Sequence, residues 1–425
     1  MNKKQFTNDD IFEKNLTYYT PKHGSPTTPL QVPECFSLYV CPPSCARRTG
    51  LRSIANGEIV NSAFLMLSEA DVISGDYVEK IGITVGNILE LYRRNGKEPP
   101  KAMALYVSCI DDFLGTDEEA LVMRLRNRYP GLVFTVCHIN PVNDGRGVPR
   151  GMLLYDRLFG FLKERTCEEP SVNLIGNYVP IDSRSEFYTV LQALGIRKCN
   201  DILEMKTFRE YQSMANSRLN LVLMVMGKMA AERMRERFGI PALYLPPSYD
   251  LDTILKNYRL IAETLGKPLP PKTYEKELGE AKAAVRHALG TVGELPVVVD
   301  TYGTRNPFSL ARTLCGYGFS VRAVIASHAK ENDRDDMDYL IKNHPEIEIV
   351  RGLDQKVISG YHFPQELLAI GYDGAYLTRA RHFVDIRHDE SFYGFQGVTK
   401  LMQMMEEAVQ HNTVWDREGN GTWQN

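Results

Sequence analysis

The stretch ALYVSCIDDFLGTDEEALVMRLRNRYPGLVFTVCHI, residues 104 to 139, carries the pattern that decides the fold. It predicts a strand at 104 to 109, a helix at 118 to 129 and a second strand at 132 to 139. A strand, a helix and a strand in succession are typical of a parallel sheet with crossover helices. Ligands of open parallel sheets bind beyond the carboxyl ends of the strands, so Cys109 is predicted to lie at a functional site.

The same alternation continues along the chain. Because 425 residues exceed the size at which one hydrophobic core stops growing, we expect several domains. The predicted division is an N-terminal arm at 1–30, a first α/β domain at 31–167, a second at 168–290 and a third, with a C-terminal helix and tail, at 291–425.

Further elements are predicted in the second and third domains. The expected helices lie at 185–195 and 207–238, with a closing helix at 398–410. The expected strands are SVNLIGNY from Ser171, PALYLP from Pro241, PVVVD from Pro296, FSVRAVIAS from Phe319, IEIVRG from Ile347 and DGAYLT from Asp373.

The charge balance and the apolar runs exclude several classes of partner. The chain has 50 basic and 53 acidic residues, so its net charge of −3 gives no electrostatic reason to expect nucleic acid or a membrane surface. Its longest apolar run, LVLMVMG from Leu221, is too short to span a bilayer, and the first residues contain no apolar targeting segment. We therefore expect a cytoplasmic protein, in which clustered cysteines indicate metal binding or catalysis rather than disulfides.

Four cysteines form the predicted metal site. Cys35, Cys41 and Cys45 lie in PECFSLYVCPPSC, and Cys109 follows the strand described above. The prolines of this run predict a loop, and Ser44 is expected to cap a helix that starts at Cys45. The spacing matches neither zinc ribbons nor ferredoxins, but thiolates favour iron–sulfur or zinc. The alternative interpretation is that these thiols are packed small side chains.

The remaining cysteines are expected to be packed or surface thiols. Cys137 is a further candidate ligand only because it precedes His138 at a predicted strand end. No phosphate-binding loop G-x-x-x-x-G-K-[ST] occurs, and the glycines 316 and 318 follow a helix instead of a strand. ATP binding through a P-loop and a dinucleotide fingerprint are therefore not expected.

Several segments, taken in order, resemble the nitrogenase component 1 superfamily, and together they span residues 31 to 410. In YVSCIDDFLGTD, the residues Cys109, Gly115 and Asp117 fall where that family has a cysteine loop ending in Gly-Asp-Asp. The other segments are SEADVISGDYVEKI from Ser68, VNLIGNY from Val172, SRLNLVLMVMGKMAAERMRERFGIP from Ser217 and LPVVVDTYGTRNPFSLARTLCGYGFSV from Leu295.

This resemblance implies a subunit of three Rossmann-like α/β domains with parallel sheets flanked by helices. In the family, cysteines at loop ends bind an iron–sulfur cluster between two subunits. Carried over by position, Cys45 and Cys109 are ligands, and Cys35 or Cys41 is the third. The implied cofactor is a 4Fe-4S or larger cluster, and the implied assembly is a homodimer or a heterodimer with a related subunit.

The resemblance also implies a function. The cysteine that anchors the catalytic cofactor of true nitrogenases aligns near Leu223, and an alkyl group cannot replace a thiolate, so dinitrogen reduction is not expected. The implied activity is an oxidoreductase, the catalytic component of a two-component reductase. It would receive electrons from an ATP-hydrolysing iron protein through the cluster and pass them to a small-molecule substrate. His388 in HDESFYGFQG is nominated as catalytic, with Asp385 and Asp389 as other proton donors.

Two other functions fit the same residues. The first is a scaffold that assembles or carries a metallocluster, which shares the fold, the cysteines and the partner. The second is a structural zinc protein, which would lack iron–sulfur absorption.

Overall fold

The computed structural model describes residues 31–46, 61–138, 148, 150–326, 331–350, 366–415 and 421–424. The predicted N-terminal arm, residues 1–30, lies outside the described residues. Three parallel sheets flanked by helices and one antiparallel hairpin make up the described chain, which confirms the predicted α/β fold class. In this part of the chain, no helix is both long enough and apolar enough to cross a membrane.

The first sheet has four parallel strands in the order β2, β1, β3, β4. Every residue of β3 is buried, as expected for a central strand with helices on both faces. The amphipathic helix α2 buries Tyr77, Ile81 and Val85 against one of these faces. The elements of this part are β1 Cys35–Cys41, β2 Ser62–Met66, α1 Glu69–Ser74, α2 Tyr77–Arg94, β3 Ala102–Val107, α3 Cys109–Leu114, α4 Glu118–Arg128, β4 Val133–His138 and α5 Arg150–Phe159.

The second sheet has four parallel strands in the order β6, β5, β7, β8. The prediction of one helix over 207–238 is wrong, because residues 219–222 form the central strand β7. The short apolar run there has no periodicity that separates a buried strand from a buried helix. The elements are β5 Ser171–Ile175, α6 Glu186–Ala193, β6 Lys198–Asp201, α7 Phe208–Gln212, β7 Leu219–Val222, α8 Lys228–Phe238 and β8 Ala242–Tyr244.

A row of asparagines crosses the middle of this sheet. Asn200, Asn173 and Asn220 stand opposite one another on neighbouring strands, and all three are fully buried. The Asn173 amide donates to Asn220 Oδ1 at 2.7 Å and to the Met214 carbonyl at 2.9 Å. Its Oδ1 accepts from Ser217 Oγ at 2.8 Å and from Asn200 Nδ2 at 3.3 Å. A one-residue slip of any strand would bury these groups without partners, so the row fixes the register.

We expect Asn173→Ala to lower the free energy of unfolding by about 3 kcal/mol, because it leaves several buried polar groups unpaired. Urea unfolding followed by circular dichroism measures this loss. The matched control is Asn127→Ala on the exposed side of α4, which should change stability by less than about 0.5 kcal/mol. Equal effects of the two substitutions would contradict the role given to the asparagine row.

The third sheet has five parallel strands in the order β11, β10, β9, β12, β13. The predicted strand DGAYLT is wrong: it lies in helix α13, and the strand is the preceding Leu368–Ile370. The elements are α9 Leu251–Thr264, α10 Glu275–Val292, β9 Val297–Asp300, α11 Pro307–Tyr317, β10 Val321–Ile325, α12 Arg334–Asn343, β11 Glu348–Val350, β12 Leu368–Ile370, α13 Tyr372–Thr378, β13 His382–Val384, α14 Gly394–Gln410, β14 Asn412–Trp415 and β15 Gly421–Gln424.

The chain divides into two compact units. Among the described residues, one unit contains those within 31–180 and 196–246, with the first and second sheets, and the other contains those within 181–195 and from 247 onward, with the third sheet. Helix α6 therefore belongs to the unit of the third sheet. It packs there because Glu186 accepts hydrogen bonds from the backbone N–H of Phe395 at 2.6 Å and from Tyr258 Oη at 2.7 Å. The predicted domain bounds stay a prediction.

Candidate metal-cluster site

Cys41 and Cys45 lie where β1 ends. The predicted loop around them is wrong in part, since residues 35–41 form a central strand and the prolines only flank it. Residues 43–46 are already helical, so Ser44 lies inside this turn and does not cap a helix that begins at Cys45. Cys41 is fully buried and Cys45 is half-buried. Burial raises the pKa of the Cys41 thiol to about 11, and the charge of the Cys45 thiolate adds to this shift.

Cys109 begins a short helix directly after β3. Ser108 precedes it in an extended conformation, and Gly115 ends the helix in the left-handed conformation at φ 63°. In the parallel pairing of β1 and β3, Val40 stands opposite Val107, so Cys41 lies beside Ser108. The structure therefore brings Cys41, Cys45 and Cys109 to the carboxyl edge of the first sheet, where ligands of parallel sheets bind.

Cys35 lies at the other end of the same strand. It stands opposite Ala102, the first residue of β3, and it lies six positions before Cys41 on the same strand. At a rise of roughly 3.3 Å per residue, the two cysteines are about 20 Å apart. Burial raises the pKa of Cys35 to about 12. The structure thus does not bring Cys35 to the other three candidates, and it places Cys35 against the hydrophobic core.

Cys137 is also a core residue. It stands opposite Tyr106 in the sheet and is buried in the hydrophobic cluster that Ala104 and Phe159 share. Burial raises its pKa. Of the other cysteines, Cys167 is exposed, and Cys199 and Cys315 are partly buried on the second sheet and on helix α11.

The donor set at the carboxyl edge suits a thiolate-ligated cluster in its chemistry. Thiolates are soft ligands, and iron–sulfur clusters are held chiefly by them. Within the described residues, no three His, Cys, Asp or Glu side chains are gathered closely enough to hold a metal ion. In a cluster each thiolate binds a different iron, so the ligands are spaced more widely than those of a single metal ion. The buried hydroxyl of Ser108 has no hydrogen-bond partner among the described residues. The carboxyl edge of the first sheet therefore contains a polar atom that could hydrogen-bond to a bound group.

The surface around this edge is partly apolar. Met66, the last residue of β2, is 57 % exposed, and Ile73 and Leu114, in the helices that follow β2 and β3, are 86 % and 41 % exposed. A cleft of about 310 Å³ lies beside helix α3, which begins at Cys109, and Leu114 and Arg124 are among the residues that line this cleft. Exposed apolar side chains at one edge are typical of a surface that a partner covers.

Asp111 and His138 make the polar contacts near this edge. The hydroxyl of Tyr77, which also lines the cleft, donates to Asp111 Oδ1 at 2.9 Å. His138, at the end of β4, pairs through Nε2 with Glu118 at 2.5 Å, and this contact lowers the pKa of Glu118. Sequence reasoning singled out His138 only through its neighbour Cys137, and it missed Ser108, whose only signal is its position before Cys109.

His388, the nominated catalytic residue, lies in a left-handed turn of the other unit. His388, Asp389 and Glu390 have φ values of 50°, 64° and 43°. Left-handed backbone costs roughly 1–2 kcal/mol for each residue with a side chain, and such strain concentrates at functional sites. The His388 ring lies 4.7 Å from the ring of Tyr302, centroid to centroid.

Asp389 and Asp385 differ in their surroundings. Asp389 is buried, and it accepts hydrogen bonds from Tyr249 Oη at 3.1 Å and from the Arg305 backbone N–H at 3.0 Å. Burial raises its pKa, and these donors oppose the shift. Asp385 is exposed. Asp389 therefore connects the left-handed turn to the loop after β9 through a hydrogen bond.

Leu223 directly follows β7. Its backbone N–H donates to the Ile175 carbonyl at 2.8 Å, and its side chain is 2 % exposed. Leu223, near which the resemblance predicts the cofactor-anchoring position, is thus a buried alkyl group.

Two relatives found by sequence comparison share the same description. The chain is 25 % identical over 365 residues to the nitrogenase iron-molybdenum cofactor biosynthesis protein NifE of Nostoc sp. strain PCC 7120, and the match covers 83 % of this chain and 73 % of that protein. It is 24 % identical over 281 residues to NifE of Rhodobacter capsulatus, covering 63 % of this chain and 57 % of that protein.

Comparison with solved structures agrees on the fold. The structure described as nitrogenase Cp1 at pH 6.5 superposes with a TM-score of 0.69 at 16 % identity, covering 93 % of this chain and 91 % of that chain. A second structure, nitrogenase Cp1 at pH 5, gives a TM-score of 0.55 at 15 % identity, covering 89 % of this chain and 85 % of that chain. The sequence profile of the nitrogenase component 1 type oxidoreductases matches residues 20–410. The chain therefore belongs to the family of nitrogenase component 1 type oxidoreductases.

Proposed function

We propose that this protein is a scaffold on which a metallocluster is assembled or carried before it is passed to another protein. The observation that carries this proposal is the described role of the proteins that this chain resembles. The NifE proteins that resemble it over most of its length are described as cofactor biosynthesis proteins. The buried Leu223 supports the same function, because a permanent thiolate anchor for a catalytic cofactor is not present at that position. We therefore propose a scaffold in place of the reductase that the sequence favoured.

The cluster ligands in this proposal are Cys41, Cys45 and Cys109. Their common position at the carboxyl edge of the first sheet supports them as a set, and the distance of Cys35 from that edge argues against it. The bound group would be an iron–sulfur cluster of the 4Fe-4S type or larger, which stores and passes electrons at low potential when bound. The chain's own part is to supply thiolates and to exclude water around them.

A second subunit completes the site in this proposal. The exposed side chains of Met66, Ile73 and Leu114 at the same edge support an interface there. The partner would be a second copy or a related subunit, and it would contribute further ligands. An ATP-hydrolysing iron protein remains the proposed electron donor, and the cytosol the proposed location.

A catalytic reductase is the second candidate function. The strained turn at His388 favours it, because three consecutive left-handed residues are costly unless they position a functional group. In that case His388 would be the proton donor for a small-molecule substrate, with electrons supplied by the iron protein.

Cluster transfer distinguishes the two functions. The protein is loaded anaerobically with ⁵⁷Fe and sulfide, freed of unbound iron and mixed with a cluster-free nitrogenase component 1 as acceptor. A scaffold is expected to give most of its ⁵⁷Fe to the acceptor within minutes to hours, as Mössbauer spectra of the separated proteins would show. The control acceptor is serum albumin, which should gain little iron. Full retention of ⁵⁷Fe by the loaded protein would contradict the scaffold and favour the reductase.

A further inference from the structure

The side chain of Ser108 is a buried polar group that no described contact explains. Ser108 is 2 % exposed, and its hydroxyl has no hydrogen-bond partner among the described residues. It precedes the helix that begins at Cys109, but its side chain does not cap that helix. Burying a hydroxyl without a partner is unfavourable, so such a group normally has a partner in the working protein.

The alternation of side chains along the strands gives the direction of this hydroxyl. On β3, Ala104 and Tyr106 pack into one core cluster, whereas Leu105 and Val107 pack into the cluster on the opposite face. Ser108 continues the extended strand at φ −90° and ψ 178°, so its side chain follows the face of Tyr106.

Cys41 shares that face. On β1, Leu38 and Val40 belong to the opposite cluster, whereas Tyr39 packs with the first cluster, so Cys41 continues the face of Tyr39. Ser108 and Cys41 stand side by side on adjacent strands, which lie about 4.8 Å apart. The hydroxyl therefore lies on the same face as Cys41, one of the proposed ligands, and Ser108 directly precedes another, Cys109, in the sequence.

We propose that Ser108 is a positioning residue whose hydroxyl donates a hydrogen bond to a sulfur atom of the bound cluster, either a ligand thiolate or a bridging sulfide. This inference rests on the proposed function, because it needs a cluster at the carboxyl edge. Hydrogen bonds to cluster sulfur atoms raise the reduction potential, since they stabilise the more negative reduced state. Ser108 would thus make the cluster easier to reduce without being one of its ligands.

The test is the midpoint potential of the reconstituted protein, measured by an EPR-monitored redox titration. Ser108→Ala is expected to bind the same amount of iron and sulfide as the wild type and to shift the midpoint potential to a more negative value. Ser108→Thr retains a hydroxyl and should stay close to the wild-type potential. The control Ser44→Ala removes an exposed hydroxyl near Cys45 and should leave the potential unchanged.

Two results would overturn the inference. The first is a Ser108→Ala protein with a full cluster and an unchanged potential. The second is a folded Ser108→Ala protein that has lost its iron, which would make Ser108 a ligand or a structural requirement instead of a hydrogen-bond donor. Wild-type protein that binds no iron at all would instead refute the proposed function.

Discussion

Replacing Cys109 with alanine is expected to remove nearly all of the cluster iron while the protein stays folded. Cys109 lies at the first turn of a helix after the central strand β3, at the carboxyl edge of the first sheet. A missing thiolate leaves an iron site open to water and thiols of the buffer, and clusters with an incomplete ligand set are lost. Iron and sulfide analysis after anaerobic purification, with circular dichroism as the folding check, measures this result.

The four cysteine variants form one matched series. Cys41→Ala and Cys45→Ala are expected to lose iron as Cys109→Ala does, because all three thiols lie at the same edge. Cys35→Ala is the internal control and should keep its full iron content, since Cys35 is at the amino end of β1. Loss of iron in Cys35→Ala with retention in Cys41→Ala would contradict the ligand set proposed here.

Replacing Glu186 with alanine is expected to have the largest effect on stability, a loss of about 4 kcal/mol. Glu186 is 3 % exposed, and besides Phe395 and Tyr258 it accepts a hydrogen bond from the Gln396 backbone N–H at 3.2 Å. These backbone groups belong to the first turn of α14, where N–H groups have no partner within the helix. The substitution therefore leaves two backbone donors without a partner at the start of a 17-residue helix, and it removes the partner of the buried Tyr258 hydroxyl.

Urea unfolding of Glu186→Ala, compared with wild type and with Glu186→Gln, measures this contribution. Glutamine keeps one acceptor oxygen but places an amide group opposite a backbone N–H, so an intermediate loss of about 2 kcal/mol is expected. Glu263→Ala, on the exposed side of α9, is the control and should change stability by less than about 0.5 kcal/mol. If Glu186→Ala were as stable as this control, the buried carboxylate would not hold α14 in place.

Much of the fold follows from local patterns. The strands around Ala104, Val133, Val172 and Val298 are apolar runs next to clear turn or helix signals, and the predicted α/β class is confirmed. The errors fall where those signals compete. Prolines on either side of β1 suggested a loop, although they only bound the strand, and the strand β7 was hidden within a long apolar run that also fits a helix.

The candidate site was less accessible to sequence reasoning than the fold. The cysteine pattern identified the candidates, but Cys35 and Cys41 could not be ranked until the strand between them was known. That strand separates the two thiols by its whole length, which spacing in the sequence does not reveal. Ser108 was not predicted because its importance depends on burial and on the pairing of β1 with β3.

The proposed function requires that the protein bind an iron–sulfur cluster. The measurement that tests it is the iron, zinc and acid-labile sulfide content of the wild-type protein after anaerobic purification, together with its EPR spectrum after reduction. We expect iron and sulfide in comparable amounts and an EPR signal of a reduced cluster. A folded protein that contains no iron, or zinc without sulfide, would contradict the proposed function.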